Sequence, residues 1–325
     1  MNKGFIKKLV IIIFFFSLPF IIVDLLLYIE NYRPDYKRFI YKINNINYNF
    51  NDDPKKYLND NNDKKIIFLG DSMTQGSTCA SKKKDFVNLI KLQWGINHKS
   101  SIYNFSSPGS GPADYLNIYN YFKQKNLRRI IVVLYYNDMD IGFDDCLVFK
   151  ELSKNGYSII KKCSDDFIKK KIHYHSDTLL KKIDNILEQA HTWTFIKNKL
   201  ANFPFLQKYY GRMSLVDTFY DQQSESFITF LNVLKHLQTD AKENEIIIDF
   251  LYYPDVYNLT EEGKANKSWK FFIDVAKTKN IIIDDPLQYI MENKESDNMT
   301  WSLVDLHPSC EAHRIMANYI IEKII

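Results

Sequence analysis

Five short runs, Lys65–Leu69, Ser101–Phe105, Arg129–Tyr136, Ile246–Tyr252 and Asn280–Asp284, are rich in β-branched and aromatic residues and nearly continuous in apolar character. A half-exposed strand alternates apolar with polar residues. Runs without that alternation suit strands buried on both faces of a parallel sheet. Segments of helical periodicity lie between or after them: Asp85–Trp94, Ala113–Lys125, Ser224–Asn244, Ser268–Lys279 and Cys310–Lys323. This order predicts an α/β fold, with helices on both faces of a parallel sheet of about five strands.

The rhythm breaks between Tyr136 and Ile246, an interval of more than a hundred residues and far longer than a crossover needs. Leu179, Leu180, Ile183, Leu187 and Ala190 fall at helical spacing inside it, so an insertion at about 140–223 is expected, either a helical subdomain or lid over the sheet's carboxyl edge or a surface insertion with no role in chemistry. Residues 31–63 are Asn/Asp-rich ("NNINYNFNDDPKKYLNDNNDKK") and read as a polar linker, with Tyr and Phe in loose contact with a domain spanning 64–325.

Residues 1–30 read as an N-terminal transmembrane helix. Leu9 to Ile29 is apolar except for Asp24, follows Lys3, Lys7 and Lys8, and reaches about 30 Å at about 1.5 Å per residue, the thickness of a bilayer core. A cleaved signal peptide would end in small residues, and Tyr28-Ile29-Glu30-Asn31-Tyr32-Arg33 offers none. An uncleaved anchor is expected, hence a membrane partner. Lysines and arginines flank the span on both sides and do not set its orientation. A large domain behind such a segment is usually translocated, so an extracytoplasmic location is expected.

Composition narrows the function. The formal net charge is only +4, and no basic stripe is interleaved with aromatics, so no nucleic-acid partner is expected. Cys79, Cys146, Cys163 and Cys310 form no C-x-x-C pair. Their even count suits two disulfides in an oxidising compartment, with Cys146–Cys163 a local candidate, but it equally suits free buried thiols. His173 and His175 lack an evident third ligand, and no Walker loop or dinucleotide fingerprint occurs, so neither metal nor cofactor is expected. There is no G-x-S-x-G elbow.

In a parallel α/β sheet, ligands bind at the carboxyl ends of the strands. The first run ends in Gly70-Asp71-Ser72, the second leads into Asn104-Phe105-Ser106-Ser107-Pro108-Gly109, and the third ends in Asn137-Asp138. Asp305-Leu306-His307-Pro308 precedes the last helix. A serine hydroxyl is a weak nucleophile until a base takes its proton. His307 can serve as that base, with Asp305 fixing its tautomer. The N–H groups of Ser72 and Gly109 and the Asn137 amide could form an oxyanion hole. Alternatively, Ser72 caps a helix, Asn137 sits in a turn, His307 is a loop histidine and Asp305 a cap.

These segments, in this order, resemble the SGNH (GDSL-like) hydrolase family. "FLGDSMTQG" is similar to its first block, "NFSSPGSG" to its second, and "DLHPSCEAHRIMANYI" to its last. The third block lacks its usual glycine in Tyr135-Tyr136-Asn137-Asp138, and Asp305 stands two residues before His307 where the family commonly has three. The resemblance implies a flavodoxin-like three-layer α/β/α fold, Ser72 as nucleophile, His307 as base, and Gly109 and Asn137 in the oxyanion hole. It points to a serine esterase acting on acyl or acetyl esters of a surface glycan or lipid. The alternatives are an O-acyltransferase using the same serine and a non-catalytic, membrane-tethered glycan-binding or assembly protein.

Overall fold

The computed structural model of the chain describes residues 22, 38–62, 64–76, 79, 83–123, 126–135, 138, 147–152, 156–161, 225–256, 259–260, 264–296, 299–301 and 307–325. In chain order the elements are β1 (Phe39–Ile43), β2 (Ile46–Phe50), α1 (Pro54–Asn59), β3 (Lys65–Leu69), α2 (Ser72–Gln75) and α3 (Phe86–Ile90). α3 runs through a π-helical turn, Lys91–Gly95, into α4 (Ile96–His98). Then come β4 (Ser101–Asn104), α5 (Pro112–Phe122), β5 (Leu127–Leu134), β6 (Leu147–Leu152), β7 (Gly156–Lys161), α6 (Glu225–Glu243), β8 (Ile247–Tyr252), α7 (Lys264–Thr278), β9 (Ile283–Asp284), α8 (Leu287–Asn293) and α9 (Cys310–Lys323).

Five strands form one parallel sheet in the order β4-β3-β5-β8-β9. This is the flavodoxin-like order, and its switch point lies between β3 and β5, where successive crossovers part in opposite directions. Alternate strand residues feed two cores. Ile67, Leu69, Ile130 and Val132 pack against α5, α6 and α7. Ile66, Phe68, Ile131 and Val133 pack against α3, α8 and α9. Burial on both faces is why these strands read as unbroken apolar runs. Even Lys65 is buried, its Nζ donating to the Tyr57 carbonyl at 3.3 Å and lying over the Tyr57 ring.

Two expectations change. Over residues 38–62 the expected linker is folded: β1 and β2 form an antiparallel hairpin, and α1 follows. Asn44 and Asn45 turn the hairpin with φ of 47° and 68°, a left-handed pair that asparagine tolerates. Tyr48 and Phe50 alternate with Asn47 and Asn49, so one face of β2 enters the core while the other stays polar. Phe50 and Tyr57 join Phe105 and Phe122 in a ring cluster. An Asn-rich composition hid this period-2 pattern.

The described part of the insertion is a β-hairpin, β6 pairing antiparallel with β7, not a helix. "LVFKEL" and "GYSIIK" are short runs with β-branched residues around a polar turn, which favours pairing. Leu179 to Ala190 lie outside the described residues. So does the expected anchor apart from Ile22, and among the described residues no helix is long and apolar enough to cross a membrane.

Candidate active site

β3 ends at Leu69, and the chain turns into α2 so tightly that Gly70 has no room for a side chain. A Cβ there would lie 2.0 Å from Thr74 Oγ1 and 3.0 Å from the Val133 carbonyl on the neighbouring strand. Asp71 is the N-cap, its carboxylate accepting the Met73 N–H at 2.8 Å. Ser72 is therefore the first helical residue, half-buried, with its N–H among those that helix geometry leaves without an intrahelical acceptor. Asp71 takes the capping role that sequence had left open for Ser72.

His307 arrives from the other end of the chain. A short antiparallel bridge fixes its backbone: Trp301 N–H donates to the His307 carbonyl at 2.7 Å, and Ser309 N–H donates to the Met299 carbonyl at 2.8 Å. Ser309 then caps α9 through the Ala312 N–H. His307 Nε2 lies 3.0 Å from Ser72 Oγ, across 235 residues of sequence. That is hydrogen-bond distance, the reach a base needs to take the hydroxyl proton. Three residues on from His307, Cys310 is joined to Cys79 by a disulfide, tying the segment behind Ser72 to the first turn of α9. The local candidate Cys146–Cys163 involves the other two cysteines, which lie outside the described residues.

Gly109 stands in the loop after β4 with φ of 74°, in the left-handed region that favours glycine, and a Cβ there would meet nothing within 4 Å. The position is therefore open to an approaching ligand. Asn137 and Asp305 lie outside the described residues.

Three buried groups near these loops were not picked out from sequence. Asp138 is 3% exposed; it accepts the Tyr135 N–H at 2.9 Å and the Tyr115 hydroxyl at 3.0 Å. Tyr115 also donates to the Ser110 carbonyl at 3.2 Å, so one carboxyl group joins the end of β5 to the Gly109 loop. Burial first, then the charge of Asp71, hold the Asp138 carboxyl well above the usual carboxylate range. His313, on α9, is buried and stacked on Phe86 with ring centroids 5.7 Å apart. Burial, and next the charge of His307, bring its pKa down to about 3, so it stays neutral beside His307 at neutral pH. Asp138 closes the Tyr135–Asp138 block noted in sequence, but its burial and shifted ionisation, like those of Tyr115 and His313, come from the surrounding fold.

A serine at the switch point of a flavodoxin-like sheet, with a histidine at hydrogen-bond distance from its hydroxyl, is the arrangement that serine hydrolysis requires. The GDSL-like lipase/acylhydrolase family model matches residues 66–320, and the chain belongs to that family. It is thus a serine ester hydrolase by class. A comparison with curated proteins finds no match. Among solved structures the chain is similar to the acetyl xylan esterase AlAXEase, with 14% identity over 80% of this chain and 100% of that one at a TM-score of 0.42. A lipolytic G-D-S-L family protein from Desulfitobacterium hafniense shows 15% identity, 80% and 98% coverage and a TM-score of 0.41. The acetylxylan esterase Axe2 from Geobacillus stearothermophilus shows 12% identity, 80% and 93% coverage and a TM-score of 0.40. At such identities nothing about this chain's substrate follows from them.

Proposed function

We propose that the protein is a membrane-tethered esterase that removes acyl groups, acetyl among them, from a surface glycan or lipid through an acyl-serine intermediate. The observation that carries the reading is the 3.0 Å approach of His307 Nε2 to Ser72 Oγ. In this mechanism Ser72 Oγ attacks the ester carbonyl while its proton passes to His307 Nε2. The oxyanion that forms is held by the N–H groups of Ser72 and Gly109 and the amide of Asn137. His307 returns the proton to the departing alkoxide as the carbon–oxygen bond breaks. Water, deprotonated by His307, then attacks the acyl-serine, and the proton returns to Ser72 as the carboxylic acid leaves. Asp305 orients the imidazole.

Two observations support placement outside the cytoplasm: the apolar run Leu9 to Ile29, and the disulfide Cys79–Cys310, a bond that persists in oxidising compartments.

The test uses the full chain in detergent, wild type beside Ser72→Ala and His307→Ala. Fluorophosphonate labelling should occur in wild type and vanish in both variants. Hydrolysis of p-nitrophenyl acetate should fall by on the order of 10⁴-fold or more in either. An unlabelled but folded wild type would sink the proposal. Suppression of hydrolysis by an added oligosaccharide, with the acyl group recovered on it, would mark transfer to a sugar hydroxyl instead.

A further inference from the structure

The family match begins at residue 66, so the β1–β2 hairpin precedes it, yet the residues that close the hairpin reach both loops of the candidate active site. α2 is a single turn of four residues, so its last carbonyls lie beyond its own helical ladder. Side-chain amides from elsewhere take them up. Asn104 Nδ2 donates to the Thr74 carbonyl at 3.2 Å, and Asn51 Nδ2 donates to the Gln75 carbonyl at 2.6 Å. Gln75 answers by donating from Nε2 to the Asn49 carbonyl at 2.8 Å. The Asn49 N–H donates to Ser107 Oγ at 3.1 Å, and the Ser107 N–H donates to the Gly70 carbonyl at 3.0 Å.

These bonds close a ring. It runs from Gly70 through α2 to Gln75, across to Asn49 in the hairpin, on to Ser107 in the Gly109 loop, and back to Gly70. Asn51, Gln75 and Ser107 are all buried, at 5%, 0% and 5% exposure, so water offers them little competition. Asp52 extends the contact, its N–H donating to the Asn104 carbonyl at 3.3 Å and its carboxylate accepting the Asn104 N–H and pairing with Lys91. The hairpin thus binds the two loops to each other as well as to itself.

We propose that the segment Asn49–Asp52, with Gln75, is a positioning element of the active site that sets Ser72 and Gly109 in register with one another. The proposal rests on the roles given to those two residues above. Asn51 and Gln75 touch no reacting atom; they act through the backbone of α2. A displacement of about 1 Å at a reacting group costs about 10²-fold in rate, so a lost tether should show in kcat and not only in stability.

The experiment compares Asn51→Ala with Asn44→Ala in the full chain in detergent. Asn44 lies at the far end of the same hairpin, its Nδ2 donating to Asn117 Oδ1 at 2.7 Å, away from both loops. Asn51→Ala should lower kcat for p-nitrophenyl acetate by about 10- to 100-fold with KM little changed. Asn44→Ala should lower thermal stability and leave kcat alone. Amide hydrogen exchange at Thr74, Gln75, Gly76 and Ser110 should quicken in Asn51→Ala alone. Equal stability losses with kcat and these exchange rates unchanged would overturn the proposal. If wild type shows no serine-dependent turnover, the functional reading falls, and the exchange comparison alone decides whether the hairpin holds the loops. Should Asn51→Ala fail to fold, Gln75→Met takes its place: it removes the bond to Asn49 at nearly unchanged length, with the same readouts and the same deciding outcomes.

Discussion

Asp138 is a carboxyl group placed where ionisation is expensive, in a dry site beside Asp71, with two donors that only partly offset the burial. A carboxyl whose folded pKa is raised contributes stability below its unfolded pKa and loses it as pH rises through the folded value. Replacing Asp138 with Asn keeps the shape and removes the titration: its one oxygen can still accept the Tyr135 N–H, and its amide N–H can donate to the Tyr115 hydroxyl, whose own proton turns to the Ser110 carbonyl. Asp138→Asn should therefore gain stability relative to wild type as pH rises above the usual carboxylate range, measured by urea unfolding from pH 4 to pH 8. A constant difference across that range would mean that Asp138 does not titrate differently in the two states. Neither this residue nor the neutral His313 was legible in sequence. Ser72 and His307 were, because each sits in a short motif whose position at a strand or helix end already implied chemistry.

Among the elements, α2 carries Ser72 and the segment leading into α9 carries His307, and the two share no sheet ladder. The Cys79–Cys310 disulfide ties the segment after α2 to the first turn of α9 and closes a separation of 231 residues. Cross-linking so long a loop restricts the unfolded chain, by about 2–5 kcal/mol in typical cases. The Cys79→Ser/Cys310→Ser double variant should unfold at lower denaturant by an amount in that range, and its fluorophosphonate labelling should slow as His307 moves more freely relative to Ser72. Stability and labelling equal to wild type would show that the surrounding packing alone fixes the two elements. Strands and helices were legible here because burial on two faces and helical periodicity are local signals. α9 occupies the span expected of it, and the sheet strands differ from expectation only at their ends. The disulfide was not legible, since four cysteines permit three connectivities, as well as free thiols, and spacing alone cannot choose among them.

For the whole molecule, the domain begins earlier than its first parallel strand. Tyr48, Phe50 and Tyr57 are each at most 2% exposed and belong to the same core as Leu69 and Val132. Losing a buried aromatic residue costs about 3–5 kcal/mol, and a chain starting at residue 64 loses all three, comparable to the entire stability of an ordinary domain. A truncated chain beginning at residue 38 should be soluble and unfold cooperatively, while one beginning at residue 64 should be insoluble or lack a cooperative transition by circular dichroism. Cooperative melting of the shorter chain would show that the hairpin and α1 are accessory.

The layered α/β class, the strand and helix order and the motifs that hold Ser72 and His307 were already present in the amino-acid sequence. Each depends on periodicity or on a motif a few residues long. Tertiary contacts were needed to bring His307 to Ser72, to pair Cys79 with Cys310, to raise the Asp138 pKa, and to make the β1–β2 hairpin part of the core and a neighbour of both loops. Those outcomes depend on which distant residues share a dry volume, and the approach of segments more than two hundred residues apart leaves no mark on the local order of amino acids.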